Sequence, residues 1–113
     1  ALACAAATAS LDLFEREPRL AQVRAIEAQL RAELEPCRGL NGVVDVRIRG
    51  ALGVVQLNRA GEGPWFRPRF LADGVWIRPF GDIVYLTPAL TASAEDIAAL
   101  TGAITKVLSA RTA

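Results

Sequence analysis

Hydrophobic residues recur at helical spacing through the first third of the chain and alternate with polar residues in several short runs after it. Residues 2–15 are dominated by alanine and predict one helix. Pro18 ends that helix and opens a second one over residues 18–35. The second helix has an apolar stripe of about two heptads, which is too short to indicate a coiled coil. The stripe comprises Leu20, Val23, Ile26, Leu30 and Leu34, and Glu27 and Arg31 are spaced for an ion pair on the solvent side.

Two β-type runs come next. The first alternates between apolar and charged residues, which predicts a strand that is buried on one face. Its apolar positions are Val44, Val46 and Ile48. The second run, residues 52–57, is apolar on both faces and therefore predicts a more central strand. Gly50 and Gly53 lack the spacing of a phosphate-binding loop and no helix follows them, so close backbone packing is the better interpretation.

Two further helices are predicted in the second half of the chain. A short helix over residues 68–73 is ended by Gly74, because glycine readily adopts the left-handed conformation found after helices. The last helix has Ser93 as its N-cap and Asp96 three residues later, which is the pattern of a capping box. Its apolar residues share one face that suits a protein core, with too few basic neighbours for a membrane anchor. They are Ile97, Leu100, Thr101, Ile104, Val107 and Leu108.

The segment between these two helices carries the clearest chemistry. Residues 75–77 predict a short strand from which Trp76 and Arg78 leave on the same face. A β-type run over residues 83–86 brings Tyr85 to the same neighbourhood if the two runs pair. An arginine beside an indole and a phenol suits a ligand carboxylate, since the guanidinium offers parallel donors and the rings exclude water. Packing of Arg78 on the Trp76 ring is the alternative interpretation.

Composition excludes several classes of protein. The 113 residues include 52% hydrophobic and 22% charged residues with a net charge of +1, which suits one small domain and offers no basic surface for nucleic acid. No run approaches the length needed to cross a membrane. Cys4 and Cys37 lack metal-ligand spacing and the chain has no histidine. We therefore expect no metal site and two reduced thiols in a cytoplasmic protein, with a disulfide as the alternative.

The order of the segments resembles one enzyme family along essentially the whole chain. Residues 2–7 resemble the helix that leads into the family's small domain, and residues 45–55 resemble its strand pair. Residues 74–88 resemble a motif of its C-terminal region, and residues 90–108 resemble its closing helix. The family is the adenosylmethionine-8-amino-7-oxononanoate aminotransferases of biotin biosynthesis (7,8-diaminopelargonic acid synthases), a class III branch of the pyridoxal-phosphate aminotransferases. The resemblance implies an α+β fold in which helices pack on a small, mainly antiparallel sheet.

The same resemblance implies that the chain is part of a larger enzyme. Residues 1–113 match the C-terminal small domain, with 1–16 as a truncated interdomain helix, 17–113 as the α+β body and the large cofactor-binding domain upstream. The chain has no methionine and its first helix has no N-cap residue before it, so we expect a piece of a longer polypeptide. Removal of a signal peptide is the alternative explanation. The family resemblance also implies a homodimer with active sites at the subunit interface.

The activity implied by the resemblance is transfer of an amino group from S-adenosylmethionine to 8-amino-7-oxononanoate, with pyridoxal phosphate as cofactor of the intact enzyme. Arg78 matches the position that binds the substrate carboxylate, and Trp76 and Tyr85 are expected to shape the same pocket. No catalytic or cofactor-binding residue is expected in this chain, because its only lysine, Lys106, has the context of a solvated helix end. The chain alone is therefore expected to be inactive. Gln56 replaces an acidic residue that many family members have.

Two other functions agree with the same residues. One is a different class III aminotransferase, in which Arg78 serves another keto-acid or ω-amino substrate. The other is a free-standing, non-catalytic module that binds a small carboxylate or a partner protein.

Overall fold

Four α-helices and a three-stranded sheet make up the protein, and the computed structural model describes residues 1–111. The elements in chain order are α1 (Leu2–Arg16), α2 (Arg19–Leu34), a short 3₁₀ helix (Glu35–Gly39), β1 (Val43–Arg49), β2 (Leu52–Leu57), α3 (Gly63–Ala72), β3 (Ile83–Leu86) and α4 (Ala94–Ser109). The strand order is β1-β2-β3 and both pairings are antiparallel. The predicted α+β class and the central place of the second strand are therefore confirmed.

One face of the sheet packs into a single apolar core with α2, α3 and α4. The sheet contributes alternate residues, as strand geometry requires, and the helices contribute one face each. Phe66 and Phe70 of α3 are fully buried with stacked rings whose centroids are 5.8 Å apart. Burial of such a side chain stabilises the fold by about 1.5–3 kcal/mol. The other fully buried large residues are Leu30, Leu34, Val55, Val84, Ile97, Ile104 and Leu108.

The helix termini follow the predicted signals closely at α4. Ser93 Oγ accepts the N–H of Asp96 at 3.1 Å, and Asp96 Oδ2 accepts the N–H of Ser93 at 3.0 Å, which completes the capping box. These hydrogen bonds to Ser93 hold the pKa of Asp96 below its usual range. The Glu27–Arg31 ion pair of α2 is also confirmed, at 2.7 Å.

The start of the apolar stripe on α2 was predicted wrongly. Leu20 is exposed, whereas Ile26, Leu30 and Leu34 are buried. Val23 Cγ1 lies 3.2 Å from the position of a Cβ at Gly50, in the turn between β1 and β2. The first turn of α2 therefore extends past the end of the sheet, and Leu20 has no strand to pack against.

Val44 was also expected in the core and is exposed instead. Val43 pairs with Leu57 while Asp45 pairs with Gln56, so β1 has one more residue than β2 at this point. Such a β-bulge leaves the extra residue unpaired and shifts the alternation. Close packing at the glycines was predicted correctly, because a Cβ at Gly53 would lie 2.9 Å from Leu34 Cδ1.

Helix α3 begins at Gly63, five residues before the predicted start at Pro68. Proline is common in the first turn of a helix, but here Pro64 occupies that turn and Pro68 lies inside the helix. Pro68 removes one backbone donor, and burial of Phe66 and Phe70 offsets this cost. Tertiary packing thus overrides the local signal.

The end of α3 has the hydrogen bonds of a Schellman motif. Gly74 has a φ of +76°, its N–H donates to the carbonyl of Leu71 at 3.0 Å, and the Val75 N–H donates to the carbonyl of Phe70 at 3.0 Å. The two bonds satisfy carbonyls that the helix leaves free. They also set the direction in which the chain leaves α3.

A buried arginine, Arg111, connects the end of the described chain to the loop before α3. Its side chain is only 2% exposed, and its guanidinium donates to Glu62 Oε2 at 2.6 and 2.9 Å and to Asn58 Oδ1 at 2.8 Å. Its Nη1 atom is buried without a partner and lies 1.8 Å from the position of a Cβ at Gly42. Any side chain at position 42 would therefore displace the guanidinium.

Helix α1 differs from the other helices because none of its side chains is buried. Its larger apolar residues, all exposed, are Leu2, Leu11, Leu13 and Phe14. The two cysteines are free thiols: Cys4 is exposed on α1, and burial raises the pKa of Cys37 in the core. Among residues 1–111, no helix combines the length and the apolar character needed to cross a bilayer.

Replacement of Arg111 by methionine should lower the free energy of unfolding by about 1.5–3 kcal/mol, the range for hydrogen bonds to charged groups. Glu62 and Asn58 lose the guanidinium from which they accept, and Glu62 keeps its ion pair with Arg59 at 3.8 Å. Arg24→Met is the matched control, since Arg24 is exposed and has no polar partner among the described residues. Urea unfolding of the two variants provides the measurement. Equal, small effects would contradict a stabilising role for the buried ion pair.

Gly74→Ala should destabilise the protein by about 1 kcal/mol through backbone strain alone, since no atom lies within 4 Å of the added Cβ. Gly102→Ala is the opposite control. Gly102 lies inside α4 with an ordinary φ, and no atom lies within 4 Å of an added Cβ. Alanine at this position should therefore stabilise the protein by about 0.5–1 kcal/mol. Thermal unfolding measures both changes, and a stabilising Gly74→Ala would exclude a left-handed cap.

Candidate functional site

Residues 75–79 leave α3 in an extended conformation that carries Trp76 and Arg78 outward. Val75 and Ile77 are 8% and 4% exposed, whereas Trp76 is 73% exposed and Arg78 is exposed as well. The predicted alternation is therefore confirmed. The predicted strand over residues 75–77 is wrong, however, because this segment joins no strand ladder. Burial of alternate apolar side chains holds its conformation instead.

The turn that follows returns the chain to the sheet. The N–H groups of Phe80 and Ile83 each donate to the other residue's carbonyl at 2.9 Å, and Gly81 has a φ of +58° within the turn. Strand β3 then pairs with β2. The pairing with residues 75–77, which was the condition for placing Tyr85 near Arg78, is not formed. The 75–79 segment forms no ladder with the other, free edge of β3, and it joins that strand through the isolated bridge between Phe80 and Ile83.

The three predicted site residues line one cleft despite this difference in pairing. The β3 cleft, as we name it, has a volume of about 300 Å³ and contains Arg78, Trp76 and Tyr85 in its lining. Its remaining lining residues are Ile77, Leu86, Thr87, Pro88 and Leu100. Leu100 comes from α4, a contribution that the sequence pattern assigned only to the core. The cleft thus combines one cation, two aromatic residues and an apolar floor.

The backbone of Tyr85, a residue of the cleft lining, has polar groups that do not bond to β2. The Asp82 carbonyl accepts the N–H of Leu57 in β2 at 2.7 Å, while Ile83 bonds to Phe80 on the opposite side. Successive residues of a strand direct their N–H and C=O groups to opposite edges. Tyr85, two residues after Ile83, therefore directs its N–H and C=O away from β2, toward the free edge of β3. This donor was not foreseen, because it depends on the pairing register.

Arg78 has no hydrogen bond, ion pair or ring contact with any other described residue. The alternative in which it packs on Trp76 is wrong, since the cation–π contact in residues 1–111 joins Arg69 to Trp65 at 3.9 Å. All five N–H donors of the Arg78 guanidinium are consequently available. Their fork geometry matches the two oxygens of a carboxylate.

A polar network across the outer face of the sheet supports the turn beside Arg78. Gln56 accepts from Arg47 Nη1 at 2.7 Å and donates to Asp82 Oδ2 at 3.0 Å. Arg47 also bonds to Asp45, which in turn accepts from Arg38 at 2.7 Å. The Arg38 guanidinium lowers the pKa of Asp45 through this hydrogen bond. The amide of Gln56 thus performs a bridging role between a cation and a carboxylate that an acidic residue would not perform.

Lys106 lies away from the β3 cleft. It is exposed on α4 and forms an ion pair with Asp73 at the end of α3. This position agrees with the expectation of a solvated lysine and does not fit a Schiff-base residue, which needs an enclosed pocket. Residues 1–111 also contain no group of three or more histidine, cysteine or acidic side chains that is arranged to hold a metal ion.

Comparisons with known proteins agree with the predicted resemblance. The chain is 40% identical over 103 residues to the adenosylmethionine-8-amino-7-oxononanoate aminotransferase of Corynebacterium glutamicum, and 38% identical over 106 residues to that of Mycobacterium leprae. These matches cover 91% and 94% of this chain and 24% of each relative. The chain therefore spans about a quarter of the length of the curated relatives it matches.

Solved structures give the same result for the fold. The adenosylmethionine-8-amino-7-oxononanoate aminotransferase of Methanocaldococcus jannaschii superposes with a TM-score of 0.83 at 25% identity, covering 97% of this chain and 28% of that one. An ω-transaminase from Thermomicrobium roseum also has a TM-score of 0.83, at 24% identity, over 96% of this chain and 27% of its own. The model of the family described as aminotransferase class-III matches residues 1–108. The chain therefore belongs to the class-III aminotransferase family.

Proposed function

We propose that this chain is the C-terminal, substrate-binding part of a cytoplasmic transaminase that transfers an amino group from S-adenosylmethionine to 8-amino-7-oxononanoate. Relatives that carry the name of this activity align with more than nine tenths of the chain at 38–40% identity. The unpaired guanidinium of Arg78, in a cleft with Trp76 and Tyr85, is the observation that carries the proposal. It provides a receptor for the carboxylate at the far end of the oxononanoate.

The proposed role of Arg78 is orientation of the substrate. A carboxylate bound by two parallel N–H donors cannot rotate freely, so the carbon chain extends from the cleft in a defined direction. Trp76 and Tyr85 form apolar walls along the first part of that chain, and the backbone N–H of Tyr85 offers one more donor. Such positioning raises the rate by holding the ketone where the amino group is delivered, without any proton transfer by Arg78.

The cofactor of the proposed enzyme, pyridoxal phosphate, supplies an electron sink for moving the amino group when it is bound. The residues of this chain do not fit its binding site, because Lys106, the single lysine, is exposed and paired with Asp73. We therefore assign the cofactor to a large domain of the same polypeptide and expect no activity from the 113 residues alone. Residues 1–16 are then the helix leading from that domain and residues 17–113 the small domain.

Exposed apolar residues support a covering domain and a second subunit. Leu11 and Phe14 on α1 and Phe80 beside the site are exposed, although side chains of this size usually lie in contact with other apolar groups. The proposed large domain and a homodimeric partner would cover such surfaces.

A different class-III transaminase activity is the second candidate. The ω-transaminase from Thermomicrobium roseum has the same TM-score as the M. jannaschii enzyme, so the fold alone does not choose between them. Profiles of amino donors and acceptors with the intact enzyme separate the two. Preference for S-adenosylmethionine and the oxononanoate supports the first candidate.

In the intact enzyme, Arg78→Ala should raise the KM for 8-amino-7-oxononanoate on the order of 10- to 100-fold, as expected when hydrogen bonds to a charged group are lost. The half-reaction with S-adenosylmethionine should keep its rate, since that donor does not need the oxononanoate carboxylate site. Single-turnover kinetics of each half-reaction provide the measurement.

Arg49→Ala is the matched control for Arg78→Ala. Arg49 is also exposed and lacks a polar partner among the described residues, but it lies at the end of β1 and lines neither wall of the cleft. Equal losses in both half-reactions of Arg78→Ala would show general damage and contradict an anchoring role.

A further inference from the structure

We propose that a second cleft, between α3 and the 75–78 segment, binds a medium-chain carboxylate with Arg67 as the residue that receives the charge. This α3 cleft has a volume of about 410 Å³, within the range of small-molecule sites. Its lining consists of Arg67, Leu71, Val75, Trp76, Ile77 and Arg78. The proposal stands on these residues and does not depend on the transaminase assignment.

The charge of the cleft is positive and unbalanced. Neither Arg67 nor Arg78 has a hydrogen-bonding or ionic partner within residues 1–111, and no acidic residue lines the cleft. Asp73, the carboxylate at the end of α3, is already paired with Lys106. The neighbouring Arg69, by contrast, has partners, because it donates to the Trp65 carbonyl at 2.7 Å and covers the Trp65 ring. An unused guanidinium is therefore a property of Arg67 and not of every arginine on α3.

The rest of the lining is apolar and partly open to solvent. Leu71 is 54% exposed and Trp76 is 73% exposed, while Val75 and Ile77 form a buried floor. A ligand that covers Leu71 and Trp76 removes apolar surface from water, which contributes about 25 cal/mol for each Å². A small inorganic anion would satisfy the arginines but leave these side chains exposed.

The combination of charge and apolar surface selects one chemical class of ligand. The head must be anionic and able to accept two parallel N–H groups, and the body must be apolar and large enough to cover Leu71 and Trp76. A medium-chain carboxylate meets both requirements. Arg67 is the charged residue that distinguishes this cleft, because Arg78 lines the β3 cleft as well.

Octanoate titrated into the intact protein that carries this chain, with isothermal titration calorimetry as the readout, tests the proposal. We expect saturable binding of octanoate, and at least tenfold weaker binding of both acetate, which lacks the chain, and 1-octanol, which lacks the charge. Absence of saturable octanoate binding would overturn the proposal.

Variants locate the bound octanoate. Arg67→Gln should weaken octanoate at least tenfold and leave 1-octanol unchanged, and Leu71→Asn should weaken octanoate and leave acetate unchanged. Arg24→Gln removes another exposed, unpartnered arginine that lies outside the cleft and should have no effect. Equal weakening by Arg24→Gln would indicate non-specific attraction and overturn the assignment.

The outcome is separable from that of the transaminase proposal. If Arg78→Ala abolishes octanoate binding while Arg67→Gln has no effect, octanoate occupies the β3 cleft. The α3 site is then excluded, and the carboxylate-anchoring role of Arg78 is supported. If Arg67→Gln alone abolishes binding, the α3 site stands regardless of how the oxononanoate half-reaction responds.

Discussion

Burial of Val75 and Ile77 determines where Arg78 points, and the geometry of the site depends on it. No strand ladder holds this segment, so its orientation rests on two apolar side chains, each contributing about 1.5–3 kcal/mol when buried. A shift of this segment by one residue would expose Val75 and Ile77 and would bury the Trp76 indole and the Arg78 guanidinium. The left-handed cap at Gly74 and the Phe80–Ile83 hydrogen bonds hold the ends of the segment. The outward direction of Trp76 and Arg78 follows from these constraints.

The two sides of the site are supported by different kinds of interaction. On the side of β3, the turn at Asp82 is held by a hydrogen-bonded network that runs through Gln56 to Arg47. Each of these contacts is partly solvated, so it contributes little stability by itself. The network instead fixes the orientation of the turn, because the Gln56 amide must direct its oxygen to Arg47 and its nitrogen to Asp82. On the side of α3, the buried Arg111–Glu62 pair holds the helix N-terminus through a strong, desolvated contact.

Features set by residues a few positions apart in the sequence could be predicted. Features set by strand register or by contacts between distant residues could not. The capping box of α4 and the outward direction of Arg78 involve residues only two or three positions apart. The bulge that exposes Val44 exists only in the register of β1 against β2. Arg111 meets Glu62 across 49 residues, and no local pattern near the chain end indicates a buried cation. The free backbone donor of Tyr85 likewise requires knowledge of which edge of β3 is paired.

The position of Arg78 at an exposed surface also determines how its charge is used. An ion pair in open water contributes at most about 1 kcal/mol, because solvent screens the charges and both side chains lose freedom. The same pair strengthens as water is excluded, while a desolvated arginine without an anion becomes costly. Phe80, two residues after Arg78, is an exposed apolar side chain that lines neither cleft. A covering domain that packs on Phe80 would remove water from the nearby guanidinium. In the proposed enzyme, closure would favour the state in which a carboxylate is bound, so selection for an anionic ligand would come from the cover as well as from Arg78.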